Sequence, residues 1–97
     1  MSKKQIEQKP VGPVKLDFGS GNNCKDGFEG VDLYADAAKH KVDLFKFPLP
    51  WETGSVDEIN CSHFIEHIPQ ELRWPFFEEC YRILKDGGIM QIIVPNW

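Results

Sequence analysis

The stretch RWPFFEECYRILKDGGIMQIIV, residues 73–94, decides the fold class. Phe76, Phe77, Cys80, Tyr81, Ile83 and Leu84 recur at three- and four-residue spacings, the apolar stripe of an amphipathic helix. Pro75 is expected in its first turn, where a missing N–H costs nothing. Glu78 and Glu79 near the start, with Arg82 and Lys85 near the end, complement the helix dipole. Gly87 and Gly88 are expected to stop the helix. IMQIIV, residues 89–94, follows as a strand apolar enough to predict burial on both faces, and Pro95 ends it. A helix that delivers the chain into an apolar strand reads as a crossover, hence a parallel or mostly parallel α/β sheet.

Upstream, short apolar runs alternate with turn signals. SVDEINCS, residues 55–62, reads as a strand after the ETG turn. FPLPW, residues 47–51, carries two prolines and is excluded from a central strand. HKVDLF (40–45), FEGVDL (28–33) and VKLDF (14–18) read as the third, second and first strands. The expected sheet has five strands in the order 3-2-1-4-5.

Ninety-seven residues make one domain. Hydrophobic residues are 41% and charged residues 27%, ordinary for a globular protein. A net charge of −4 argues against broad, non-specific nucleic-acid binding, which needs a basic face. No apolar run approaches the roughly 18–20 residues of a membrane span. The opening MSKKQIEQKP is polar and lacks a signal-peptide apolar segment. Residues 1–12 are read as a flexible tail, residues 13–97 as the domain, and the protein as cytoplasmic. Cys24, Cys61 and Cys80 are widely spaced and odd in number, so they read as reduced thiols.

LDFGSGNN, residues 16–23, is the chemical centre. A strand runs into Gly19, Ser20 and Gly21, where glycine lets the backbone turn sharply and approach a ligand closely. Asp32 ends the second strand and Asp43 the third. A carboxylate at the first place can accept ribose hydroxyls; at the second it can accept from the exocyclic amine of an adenine. Taken singly, the bend is also a simple tight turn and the two aspartates are also solvated strand ends. Their joint placement at neighbouring carboxyl ends is where open α/β sheets bind ligands.

With these motifs in order, the chain resembles the class I S-adenosylmethionine-dependent methyltransferases of the small type 11 kind. VKLDFGSGNN resembles the first motif and GFEGVDLY the ribose-binding strand end. KVDLFKFPLPWETGSVDEINCSHFIEHIP resembles the segment from the adenine-contacting aspartate to the loop after strand four. FFEECYRILKDGGIMQIIVPN resembles the helix and fifth strand. The resemblance implies a Rossmann-like fold, S-adenosyl-L-methionine as cofactor, and methyl transfer to an unidentified acceptor. It implies that Phe18, Gly19, Ser20 and Gly21 form the cofactor loop, with Gly19 and Gly21 under the methionine part. Asp17 would orient the amino group, Asp32 and Leu33 hold the ribose, Asp43 and Leu44 face the adenine, and Ser62 and His63 lie beside the sulfonium.

There are departures. Asn23 stands where many members carry a third glycine, and the first helix is almost absent between residues 22 and 27. The family fold adds two strands that this chain lacks, so strand five is expected at the sheet edge. An exposed apolar edge invites pairing, and a homodimer through residues 89–94 is expected. A truncated methyltransferase-fold binding module, acting through that edge without turnover, is the alternative to the enzyme.

HFIEH, residues 63–67, also fits H-x-x-E-H, a zinc-protease helix signature. That reading needs His63 and His67 on one helical face and a third ligand downstream. It is set aside in favour of the similar stretch in the methyltransferase family, and no metal is expected. Two roles for the histidines stay open: Glu66 and His67 fixing the loop by hydrogen bonds, or His63 or His67 as general base for the acceptor.

Overall fold

The computed structural model describes residues 12–95; the tail reading falls mainly on residues 1–11, outside the described residues. Strand β1 (Lys15–Phe18) runs to the glycine bend, and β2 (Glu29–Val31) returns after a loop rather than a helix. Strand β3 (Val56–Ser62) leads into a single 3-10 turn (Ile65–His67), then helix α1 (Gln70–Ile83) and strand β4 (Leu84–Ile93). The sheet has four strands in the order β2-β1-β3-β4, with every pairing parallel. This is a short Rossmann-like α/β sheet, with β3 and β4 standing as the expected fourth and fifth strands.

The expected third strand does not form. Residues 40–45 touch the sheet through one parallel bridge, His40 to Val31. The chain turns away at Asp43, whose Oδ1 accepts from the Phe45 N–H at 2.9 Å while its carbonyl accepts from Lys46 N at 3.2 Å. An aspartate bonding its own backbone two residues on is a turn device that competes with strand pairing. The sheet therefore has four strands plus this bridge, and the expected five-strand order does not form in full.

Register assigns each residue to a face. Leu16, Phe18, Val31, Ile59 and Cys61 share one face, are fully buried and pack against Phe76, Cys80 and Ile83 of α1. Burial of apolar area at this helix–sheet seam is the main stabilising term. Burial also pushes the Cys61 thiol up to about 12 and raises Cys80, keeping both protonated. The loop at 47–53 is tied to α1 by side chains. Leu49 donates its N–H to Glu79 at 2.8 Å, and Arg82 donates to the Leu49 carbonyl at 3.0 Å.

The helix differs from its expected bounds at both ends. It begins at Gln70 after Pro69, so Pro75 lies inside it rather than in the first turn. Leu72, Phe76, Cys80 and Ile83 continue the inward stripe across the proline, and their burial outweighs the missing bond at Pro75. The helix stops at Ile83, not at Gly87 and Gly88. Val56 pairs with Leu84 and Glu58 with Ile89, so residues 85–88 bulge out of register. Gly87 has φ 82°, and a Cβ at Gly88 would lie 2.9 Å from the Lys85 carbonyl oxygen. The glycines serve the bulge.

Strand β4 is not buried on both faces. Ile89 is 59% exposed and Ile92 43%, because nothing among the described residues lies beyond this edge. No described helix is long and apolar enough to cross a membrane.

Candidate functional site

A pocket of about 430 Å³ opens at the carboxyl end of the sheet. That volume suits a small-molecule ligand. Gly19, Asp32, Leu33 and Tyr34 form one side, residues 42–45 a second, and His63, Phe64 and His67 the third.

The bend after β1 is built by backbone bonds. Gly19 N donates to the Val31 carbonyl at 2.8 Å, and Gly19 and Gly21 take φ of 72° and 59°. These left-handed conformations favour glycine. Gly19 has a second reason to lack a side chain. A Cβ there would strike the Phe64 ring, lying 2.8 Å from its Cγ. Phe64 therefore covers the position at which a close backbone approach to a ligand was expected. Its ring is held by Phe76 at 5.9 Å and lies near-parallel to Phe45 at 6.2 Å.

Asp32 is locked by three backbone donors. Gly21 N reaches Oδ2 at 3.0 Å, while Tyr34 N and Ala35 N reach Oδ1 at 2.9 and 3.1 Å. Burial acts to raise its pKa, but these N–H bonds, helped by Lys41, outweigh it and hold the carboxyl below its ordinary range. Each carboxylate oxygen offers two acceptor directions. Oδ1 has both filled and Oδ2 has one left for a ligand hydroxyl. Asp43 uses Oδ1 for its turn, and its Oδ2 has no partner among the described residues. Between the two acids run Leu33, Val42, Leu44 and Phe45, an apolar wall. Hydroxyl acceptors at one end, an amine acceptor at the other and apolar faces between them fit an adenosine.

Of the residues named from sequence, Gly19, Asp32, Leu33, Asp43, Leu44, His63 and His67 line this pocket. Phe18 does not; it is fully buried in the core. Ser20 Oγ bonds the neighbouring Gly21 carbonyl at 3.3 Å, and Gly21 and Ser62 flank the pocket without lining it. Asp17 is buried below the bend, accepting from Lys25 N at 2.9 Å and from Asn60 Nδ2 at 3.0 Å. Trp51 packs on Phe18 and His40, and exposed Trp74 donates to Glu78; neither lines the pocket.

HFIEH does not form the α-helical turn that a zinc pair needs. His63 takes φ 56° at the end of β3 and donates its N–H to the Ile93 carbonyl at 2.6 Å. Only Ile65–His67 then closes as a 3-10 turn. Among the described residues, no group of three or more His, Cys, Asp or Glu is placed to hold a metal. Glu66 and His67 lie 4.0 Å apart, too far for a hydrogen bond. Backbone bonds fix the loop instead, His67 N to the Phe64 carbonyl and Ile68 N to that of Ile65.

Tyr34, Val42, Phe45 and Phe64 line the pocket and were not named from sequence. Their signal was adjacency: Tyr34 and Phe45 each follow a pocket aspartate by two residues, and Phe64 sits inside HFIEH.

Comparison with known proteins bears on the family. The family described as methyltransferase domain matches residues 22–92, starting just after the bend. A probable S-adenosylmethionine-dependent methyltransferase of Mycolicibacterium smegmatis is 28% identical over 95 residues, covering 75% of this chain and 36% of that protein. The chain thus spans about a third of that relative's length. No solved structure matches. The family implies S-adenosylmethionine as cofactor. With the matched span covering most of the sequence, the chain belongs to the methyltransferase-domain family.

Proposed function

We propose that this domain binds S-adenosylmethionine in the pocket between Asp32, Asp43 and His63 and directs its methyl group to an acceptor. The observation that carries the reading is the pair of acids, Asp32 just after β2 and Asp43 in its turn, each held by backbone N–H groups with acceptor capacity left over, at opposite ends of an apolar wall. The bound cofactor would supply an electrophilic methyl group on a sulfonium. The chain's residues then have positional work. Asp32 takes a ribose hydroxyl on Oδ2, Asp43 and Leu44 meet the adenine, and Asp17 orients the amino group beneath the bend. Ser62 and His63 stand at the sulfonium end. His63 and His67 are the titratable groups on that wall and are suited to accept a proton from an acceptor. In-line methyl transfer draws mainly on proximity and orientation, so their contribution is secondary to the acids.

The same reading takes residues 13–97 as the domain and the cytoplasm as its place. The free β4 edge, with Ile89, Ile92, Ile93 and Val94 exposed, supports pairing with a second copy.

Calorimetric titration with S-adenosylmethionine and S-adenosylhomocysteine tests the cofactor site. Wild type is expected to bind with a Kd on the order of micromolar, about −8 kcal/mol, and Asp32→Ala to lose that binding. Wild type that binds neither ligand would remove the reading.

A further inference from the structure

Asp17 and Asn60 face each other across β1 and β3 as register partners. Asp17 is 4% exposed and Asn60 3%. Their side chains join directly, Asn60 Nδ2 donating to Asp17 Oδ1 at 3.0 Å. The other oxygen of Asp17 accepts the Lys25 N–H at 2.9 Å. Two donors from two different elements thus fix the plane of the carboxylate. Asn60 Oδ1, by contrast, is buried without a partner among the described residues.

That unpartnered oxygen is informative. A buried amide left half-satisfied destabilises a fold, and an apolar pair at 17 and 60 would avoid the cost. Stability therefore does not explain the pair, although with Asp17 buried the Asn60 donor offsets part of the carboxylate's desolvation. The chemistry of Asn60 does suit Asp17, because a neutral amide anchors the carboxylate while leaving its negative charge intact. A lysine or arginine at 60 would cancel that charge, and an aspartate would repel it.

We propose that Asn60 is a positioning residue: it aims the Asp17 carboxylate at the amino-acid end of the cofactor. The inference rests on the S-adenosylmethionine reading and assigns to Asn60 no contact with the ligand. Its effect passes through one hydrogen bond to Asp17.

The test compares S-adenosylhomocysteine with 5′-methylthioadenosine, which keeps the adenosine and sulfur but lacks the amino-acid arm. Wild type, Asn60→Leu and the exchanged pair Asp17→Asn/Asn60→Asp are titrated with both ligands, and each is melted. Wild type is expected to prefer S-adenosylhomocysteine. Asn60→Leu is expected to lose about tenfold or more for that ligand and to hold its affinity for methylthioadenosine. The exchanged pair retains a buried amide–carboxylate bond but shifts the charge by one strand spacing, about 4.8 Å. It is expected to keep its melting temperature and lose the preference, and it carries the test should Asn60→Leu not fold. Parallel loss for both ligands in Asn60→Leu, or wild-type preference in the exchanged pair, would overturn the proposal. Wild type binding both ligands equally would overturn it while leaving the pocket intact. Wild type binding neither would remove the cofactor reading and this inference with it.

Discussion

Gly19→Ala offers a quantitative check on the centre of the site. The substitution adds one methyl group at φ 72°. A left-handed conformation costs a non-glycine residue roughly 1–2 kcal/mol. The new Cβ would also lie 2.8 Å from Phe64 Cγ and 3.2 Å from Phe64 Cβ, so the ring must move. Phe64 is wedged between Phe45 and Phe76, and forcing such a shift costs about 1–3 kcal/mol. The total is about 2–5 kcal/mol, which lowers Tm by at least about 8 °C in a domain of this size. The two contributions separate in a double-mutant cycle measured by urea unfolding. Phe64→Ala removes the obstacle and leaves the conformational cost. Gly19→Ala/Phe64→Ala should therefore be less destabilised than the sum of the singles by the collision part, about 1–3 kcal/mol. Additivity within about 0.5 kcal/mol would mean that Phe64 does not rest on Gly19, and the account of the pocket's third side would fail.

Acid stability should follow the carboxyls held below their ordinary range: Asp57, by the Val14 N–H and Lys85, and three others. Asp32 is lowered from 3.8 because its backbone N–H bonds outweigh the opposing effect of burial; Glu29 is lowered from 4.5 chiefly by the His40 hydrogen bond; Glu79 is lowered from 4.5 chiefly by Arg82. Folded values below unfolded ones mean that this stability is complete above about pH 5 and is lost as pH falls through about 4 and below. Chemical denaturation at stepped pH should show that decline, and stability that rises between pH 5 and pH 3 would contradict it. At the β4 edge, wild type should self-associate in sedimentation, and Ile93→Lys should shift it toward monomer by charging the edge. A wild type that stays monomeric at high concentration would rule out pairing there.

How far the sequence spoke can be traced residue by residue. The parallel sheet was legible because strand runs, a glycine bend and a crossover helix are local patterns with few tertiary alternatives. The third strand was not, because the alternation in HKVDLF looks like pairing while Asp43 bonds its own backbone and turns the chain. Pro75 misled the helix start because the inward stripe from Leu72 to Ile83 carries the helix through it. Gly87 and Gly88 misled the helix end because a bulge and a helix stop ask for the same residue. Strand 89–94 looked doubly buried because apolar composition cannot say how many neighbours a strand has. At the site, Asp32 was legible as the end of the second strand, and Asp43 lines the pocket although the strand it was expected to end does not form. Phe45 and Phe64 were not, since aromatic residues in loops carry no periodicity to mark what they cover.

The incomplete cover of the sheet does not carry over to the pocket. One face of the sheet buries an apolar row against α1; the other carries the register row Gly30, Asp17, Asn60 and Gln91. The loop that replaces a first helix closes over this polar row, through Lys25 N on Asp17 and Lys25 Nζ on Gln91 at 3.0 Å. The pocket walls are tied elsewhere. Asp32 is held by the bend, residues 40–45 by the His40 bridge and the Asp43 turn, and Phe64 by Phe76 in the core. The β4 bond within the site is that from His63 N to the Ile93 carbonyl, at the strand's last residue. Whatever covers the exposed side of β4 therefore bears on the pocket mainly through His63. Residues 19–45 supply both acids and the apolar wall between them, and His63, Phe64 and His67 close the third side, so the pocket walls come from segments that do not depend on the far side of β4.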